Sequence, residues 1–516
     1  MRETTLPEIV RDIVPWASDL QSVRAAFGER PCIHDGERGL DFAGMIGRAA
    51  TLAHRLRARG VAPGTPVATS LPNGIPAVWT AAALRLAGAA EVALNAALAG
   101  EERRYCLALS GAGLVLTTRA QVPAFAALGC EAIAVEDLPD APGELAGLPP
   151  VPGDAFGRIS FTSGTTGRPK AIVHTHAARW IANLLQRASW SVMPGPGSRL
   201  LLMTPFVHGA GMLFQAFCDR GAECVLLDGV DPPKLEALLS SGGIDFIFAP
   251  PTVLAKLAAA FPDRHFPGVR TVFTGTAPLV PALYAKARAL FGPVVRVTYG
   301  KSEIVNPITV LSPEQTEACY AEAAPHEGVC VGFPATGVEV EIRGDTGAPC
   351  GPEEVGEVHL RARHMLRGLI DASGFRPLPP GAFHDTGDLG RVDAQGRLHL
   401  AGRMADVIKS GGYKIHPDEI ERALAGTAPA VSVVALPSEY WGEVIVAVAE
   451  GADAAWPDRA RAALAGLARY KHPRAFIAVE EIARNAQGKA MRRLVRERLL
   501  ARYRLIDGPH PLLERR

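Results

Sequence analysis

The strongest constraint on how this chain folds is a rhythm. From about Phe42 onward, short apolar runs alternate with amphipathic stretches of about ten residues. Ala49 to Arg59 sets Leu52, Ala53, Leu56 and Ala58 near one helical face, with Gly60 as a stop signal. Val67 to Leu71 reads as a buried strand, Pro72-Asn73-Gly74 as a turn and Ala77 to Ala87 as the next helix. The pattern returns at Arg199 to Met203 (strand), Met212 to Cys218 (helix) and Cys224 to Leu227 (strand). Helices at Lys234 to Ser240 and Val253 to Ala260 then flank the strand Phe246 to Ala249. Strands separated by helices cannot pair as hairpins, so the rhythm predicts an α/β fold with doubly wound parallel sheets covered on both faces.

Around Glu339 to Arg363 the period changes. Val338, Val340 and Ile342 alternate with polar residues, as do Val358 and Leu360, which predicts a small antiparallel β-structure. After Gly402 comes a polar stretch, and then a compact α+β region. The division expected is therefore residues 1–402 and residues 403–516. A length of 516 residues leaves room for two to four domains, at roughly 150 residues each.

Lys plus Arg number 54 against 53 for Asp plus Glu, a balance that argues against a nucleic-acid partner. The most apolar early region, Ile75 to Leu98, is broken by Arg85 and Glu91, so no integral membrane segment is expected. Nor does the N-terminus show a basic segment followed by an apolar one, and a cytoplasmic location is expected. Eight scattered cysteines with no Cys-x-x-Cys pair predict reduced, buried thiols rather than a zinc or redox site.

The sharpest local signal runs from Ser160 to Lys170: Ser-Phe-Thr-Ser-Gly-Thr-Thr-Gly-Arg-Pro-Lys. Glycines let backbone N–H groups approach phosphate oxygens, hydroxyls donate hydrogen bonds, and the lysine offsets charge. It is not a Walker A loop, because the glycines at 164 and 167 are too close and Pro169 precedes the lysine. Ala171-Ile172-Val173 reads as a strand, so strand–loop–strand is expected. A helix follows from Thr175, with Trp180, Ile181, Leu184 and Leu185 on its apolar face.

This run resembles the phosphate loop of the adenylate-forming superfamily: acyl- and aryl-CoA synthetases, peptide-synthetase adenylation domains and beetle luciferases. The likeness extends from roughly residue 25 to 500. It implies a large N-terminal domain of two doubly wound sheets plus the small β-structure, and a small mobile C-terminal domain. It also implies ATP, Mg²⁺ and CoA as cofactors. In the phosphate loop the resemblance assigns Thr162, Ser163, Gly164, Thr165, Thr166, Gly167 and Lys170. Gly275-Thr276-Ala277-Pro278 resembles the segment lining the adenine site. In Thr298-Tyr299-Gly300-Lys301-Ser302-Glu303, it implies that Tyr299 stacks on adenine, that Ser302 contacts the α-phosphate and that Glu303 is the metal ligand. One carboxylate plus phosphate oxygens suits Mg²⁺.

Thr386-Gly387-Asp388 matches the motif whose aspartate accepts both ribose hydroxyls, and Arg403 the arginine that also holds the ribose and marks the hinge. The pivot residue, usually Asp or Lys, is Ala405 here. Gly411-Gly412 resembles the turn that enters the site for the second half-reaction, with Lys409 assisting and Trp441 beside the CoA channel. Gly488-Lys489 resembles the loop whose lysine drives adenylation. The basic helix from Met491 to Tyr503 reads as a solvated face over a stripe of Leu494, Val495, Leu499 and Tyr503.

In Pro205-Phe206-Val207-His208-Gly209, His208 matches a gate beside the substrate carbonyl. No acidic residue lies between Thr204 and Ala216, which disfavours an α-amino acid. Apolar Ile304, Val305, Ile308 and Val310 point to a fatty, alicyclic or aromatic tail. The leading expectation is an acid–CoA ligase acting on a small-molecule carboxylic acid, with a homodimer allowed for. The alternative is a ligase that loads a carrier protein. A non-catalytic scaffold of the same fold is disfavoured by intact Lys170, Glu303 and Lys489.

Overall fold

The computed structural model describes residues 13–96, 98, 100–139, 142–162, 170–322, 329–485 and 490–516. The α/β rhythm is realised as two large sheets. The first has eight strands. Its central run is parallel: Phe156–Thr162 beside Ala90–Ala93, Pro66–Ser70, Leu114–Thr117 and Glu131–Ala134. On its other side Lys170–Thr175 pairs antiparallel with Phe156–Thr162, Thr162 opposite Lys170. The expected strand–loop–strand is thus a hairpin, and the loop 163–169 lies outside the described residues.

In the second sheet, Val295–Lys301, Thr271–Thr274, Phe246–Phe248, Arg199–Leu202, Glu223–Leu226 and Pro31–His34 run parallel. The antiparallel strands near residue 340 are present, with Val338–Arg343 on Gly356–Ala362. They are not a separate small unit. Ile304–Leu311 and Val329–Pro334 join them edge to edge to the parallel strands, giving one thirteen-stranded order.

Helices between the sheets carry the main core. Phe42–Ala58 starts where the Asp41 carboxylate accepts the Gly44 N–H at 2.6 Å, earlier than periodicity alone indicates. Its Phe42, Met45, Ile46, Ala49, Leu52, Ala53 and Leu56 are all buried. Ile75–Ala87 is apolar nearly all round because it is enclosed, and it ends at Gly88 with φ 75°.

The helix His176–Ala188 departs from expectation. It buries His176, Arg179, Asn183 and Gln186, while Leu184 is 38% exposed. The polar face is the inner one because Arg179 finds a buried carboxylate, Glu91, at 2.9 Å. Six of the eight cysteines are buried and none is in a disulfide. No helix among the described residues is long and apolar enough to cross a membrane.

From Ile408 on, the chain makes its own five-stranded sheet around Gly442–Glu450 and Ala430–Ser438, with cores drawn only from residues beyond 407. Val495 and Leu499 of the helix Arg492–Arg502 are buried there, as the stripe predicts. Arg492 is not part of a solvated face. It pairs with Asp406, Asp418 (both close contacts) and Glu421 (2.6 Å), its side chain only 18% exposed. Burial works against its charge, but the three carboxylates outweigh that and raise its pKa well above the ordinary arginine value.

Candidate functional site

Asp388 is the hub. It lies in the strand His384–Val392, opposite Arg403 at the end of Leu398–Arg403. Its backbone N–H donates to Thr386 Oγ1 (3.0 Å), and that hydroxyl donates to the Val358 carbonyl (2.7 Å). The carboxylate therefore sits on a braced turn, buried to 6% exposure. Oδ2 accepts from the Tyr299 hydroxyl in a close contact and from Lys301 Nζ at 3.1 Å. Oδ1 faces Arg403 Nε at 3.4 Å. Lys301 also donates to the Thr386 carbonyl, at 2.5 Å. Burial, followed by the adjacent carboxylate, pushes the Tyr299 phenol well above its ordinary pKa, so it stays a proton donor.

Strands from different parts of the chain thus deliver Tyr299, Asp388 and Arg403 to one place. Lys301, a position the resemblance leaves unassigned, completes the group. Tyr299 is 7% exposed, so a stacking partner would meet only a small part of the ring.

Gly275 closes against the same strand. A Cβ there would lie 2.5 Å from the Thr298 carbonyl oxygen, so only glycine allows this approach. Thr276 follows with φ 70°, a left-handed conformation that costs a β-branched residue about 1–3 kcal/mol and that tends to persist at functional sites. Glu303 sits in the turn between Val295–Lys301 and Ile304–Leu311. Its carbonyl accepts from Leu366 N (2.7 Å) and from His174 Nε2 (3.3 Å). Burial drops the His174 pKa to about 3, so this ring is neutral. Among the described residues no cation pairs with the Glu303 carboxylate, which suits a ligand for a hard divalent ion.

The gate segment Phe206–Ala210 is a single π-helical turn leading into the helix Gly211–Cys218. The His208 side chain lies outside what is described, as do Ser163–Gly167, Lys489 and the side chain of Thr162. Ile304 and Ile308 do not face a tail. Both are fully buried in the core beneath the strands near residue 340, whereas Val305 lines a cavity.

In the C-terminal region Gly411 (φ 58°) and Gly412 (φ 83°) form the tight turn between Ile408–Ser410 and Tyr413–Ile415, as a two-residue hairpin requires. Gly411 N–H donates to the Trp441 carbonyl at 2.9 Å, and a Cβ on Gly411 would meet the indole at 3.1 Å. The Arg474 guanidinium lies 3.6 Å from the indole centroid, and Nε1 donates to Gly508 at 3.0 Å. Trp441 is therefore the floor of the glycine turn. Lys409 is exposed, its backbone N–H given to Glu443. No hydrogen bond or ion pair among the described residues joins this group to Asp388.

The pattern defining the AMP-binding enzymes matches residues 20–370. The chain belongs to that family. It is 30% identical over 488 residues to a feruloyl-CoA synthase of an Amycolatopsis species, covering 90% of this chain and 95% of the relative. It is 29% identical over 488 residues to the long-chain-fatty-acid–CoA ligase FadD13 of Mycobacterium tuberculosis, covering 90% and 93%. Among solved structures, it resembles o-succinylbenzoate CoA synthetase of Bacillus subtilis in complex with its acyl-adenylate, with a TM-score of 0.80, 25% identity and coverage of 92% and 97%. The adenylate-forming superfamily expected from the motifs is the one the family match identifies, and the α/β class holds.

Sequence reasoning missed two buried clusters, Glu91 with its arginines and Arg492 with its carboxylates. Charged residues inside otherwise apolar stretches, such as Glu91 within Ile75 to Leu98, were the available signal.

Proposed function

We propose that this enzyme is an acid–CoA ligase that works in two half-reactions. A substrate carboxylate attacks the α-phosphorus of ATP, forming the acyl adenylate and releasing pyrophosphate. The CoA thiol then attacks the acyl carbonyl, and AMP leaves. Support comes from the family match together with the convergence of Tyr299, Lys301 and Arg403 on Asp388, which is the observation that carries the reading.

Both reactants of the first step are anionic, so the site must neutralise charge and hold them in line. Asp388 would accept the ribose hydroxyls in exchange for its Tyr299 and Lys301 contacts, with Arg403 alongside. Thr162 to Lys170 would hold the phosphates, helped by Ser302, while Gly275 to Pro278 and Tyr299 border the adenine. Mg²⁺, held by Glu303 and phosphate oxygens, would supply positive charge to the triphosphate. Lys489 would neutralise charge developing at the α-phosphate, and His208 would gate the acyl carbonyl.

In this reading residues 1–402 and 403–516 are two domains, and the second rotates about residues 403–406. Lys489 withdraws, and Gly411-Gly412 enters with Lys409 and Trp441 to border CoA. One lysine cannot serve both geometries, which is the reason for a moving domain.

Lys489→Ala should slow adenylation by about 10²–10³-fold, as loss of a transition-state charge partner does. Thioester formation from pre-made acyl adenylate should largely survive. Equal losses in both half-reactions, measured in single turnovers, would refute the division of labour. Transfer to a carrier protein but not to CoA would replace the acceptor.

A further inference from the structure

The strands Gly356–Ala362 and His384–Val392 fall out of step at the turn that carries Asp388. Glu357 pairs with Leu389 and His359 with Asp385, so Thr386, Gly387 and Asp388 stand opposite the single residue Val358. This is a bulge, and three side chains able to ligate a metal flank it. Glu357, His359 and Asp385 each offer one ligand atom, and the three atoms lie within 4.8 Å of one another.

Strand geometry brings them together. Glu357 and His359 are two apart and share one face of their strand, while Val358 between them is buried in the core on the other. Asp385 stands across the ladder from His359.

His359 is the observation that points to an ion. It is 8% exposed, yet its Nε2 is buried without a hydrogen-bond partner. Glu357 Oε2 stands 3.6 Å away, too far for a hydrogen bond. Two ligand atoms on one tetrahedral ion, with bonds of roughly 2.0–2.2 Å, are separated by roughly 3.3–3.6 Å. The pair is thus spaced as ligands of a common ion are, rather than as donor and acceptor.

The surrounding charges agree. Among the described residues no lysine or arginine forms an ion pair with Glu357 or Asp385. Arg343, opposite Glu357 in the ladder, gives its Nε to Glu341, and Lys301 is committed to Asp388 and the Thr386 carbonyl. Asp385 Oδ1 accepts the Gly387 N–H at 2.8 Å, which orients the carboxylate and leaves Oδ2 to bind. Asp385 is exposed and Glu357 half-buried, so an ion has a path in from solvent and room for water at its remaining position.

We propose that Glu357, His359 and Asp385 bind a divalent transition ion of the zinc class, separate from the Mg²⁺ that accompanies ATP. One imidazole with two carboxylates and no thiolate suits such an ion, whereas Mg²⁺ takes oxygen ligands. Glu357 and His359 lie on either side of Val358, whose carbonyl receives the Thr386 hydroxyl at 2.7 Å, and Asp385 lies just before Thr386. The ion therefore pins the turn that presents Asp388 without itself touching the nucleotide.

The test is calorimetric titration of Zn²⁺ into the full chain, stripped of metal by a chelator and free of nucleotide. The expected result is one Zn²⁺ per chain, with a dissociation constant in the micromolar range. His359→Gln and Asp385→Asn should each weaken binding by at least about 10²-fold, since losing even an outer partner of a ligand costs about 10–10²-fold. Glu303→Gln should leave it unchanged, which separates this ion from the one on ATP. In the unaltered chain Zn²⁺ should also slow hydrogen exchange on peptides from Gly356–Ala362 and His384–Val392, a readout that holds even if a variant fails to fold. Absence of Zn²⁺ binding, undiminished binding in a folded His359→Gln, or protection that falls elsewhere in the chain would overturn the proposal and leave an ordinary ion pair of His359 with Glu357. The ligase reading is untouched by any of these results, because pyrophosphate release from MgATP tests it separately.

Discussion

Replacing Arg492 with Met should loosen the whole C-terminal region, by an amount the structure allows to be worked out. One guanidinium pairs with Asp406, Asp418 and Glu421, reaching Glu421 through Nη2 at 2.6 Å and Nε at 3.1 Å. Glu421 also accepts the Val433 N–H at 2.7 Å, which locks the cluster to the central hairpin of the C-terminal sheet. Removing one partner of a buried ion cluster costs about 3–5 kcal/mol. These carboxylates retain 22–28% side-chain exposure, so the lower end applies, about 3 kcal/mol.

The loss depends on pH. Burial already raises the Glu421 pKa, even with Arg492 present. Without the arginine, the Glu421 pKa should rise further above its unfolded value. A carboxyl raised in the folded state favours folding at low pH, and that contribution is lost as pH climbs through the folded pKa. The deficit should therefore be small near pH 5 and full near pH 8. Hydrogen exchange on peptides from Ala430–Ser438 and Gly442–Glu450 reads it as a rate increase of about 10²-fold at the higher pH. A deficit below about 1 kcal/mol, or one equal at both pH values, would refute the reasoning.

Asp388→Asn removes the charge that Lys301 and Arg403 share, and calorimetry should show MgATP binding weakened by about 10–10²-fold, the worth of a hydrogen bond to a charged group. Unchanged affinity would remove Asp388 from the nucleotide site. Gly275→Ala forces the strand ends at 275 and 298 apart, costing about 1–3 kcal/mol. A raised KM for ATP with a melting temperature lowered by a few degrees is expected, and an unaltered KM would count against the adenine role. Trp441→Ala takes the floor from under Gly411. It should slow thioester formation by about 10–10²-fold while leaving adenylation within about twofold, as a misplaced positioning element does. Equal effects on both steps would make Trp441 a purely structural residue.

Much of the fold was legible because periodicity is local. The strand Pro66–Ser70, the enclosed helix Ile75–Ala87 and the hairpin bracketing the phosphate loop all follow from patterns within a few residues. What escaped depends on partners far away in sequence. Hydropathy turned the helix His176–Ala188 outside in, because the carboxylate that accepts Arg179 lies 88 residues earlier. Arg492 was read as solvated because its acids come from the other side of the C-terminal sheet, up to 86 residues back. Ile304 and Ile308 were assigned to a substrate tail since nothing local reveals that the strands near residue 340 close over them. At the site itself, the motif residues around Asp388 were legible and the lysine that joins them was not.

The contact between Tyr299 and Asp388 also says something about shape. Their strands are four places apart in the thirteen-stranded order, roughly 19 Å along a flat sheet. Two side chains cannot bridge that span, so this part of the sheet must curl into a cup, filled by Ile304, Ile308, Val331, Val358 and Leu360. The hydroxyl–carboxylate pair is the clasp across its lip. A nucleoside whose sugar takes over that carboxylate would unfasten the clasp and fasten the lip itself, so the bound molecule would become a strut of the wall that holds it.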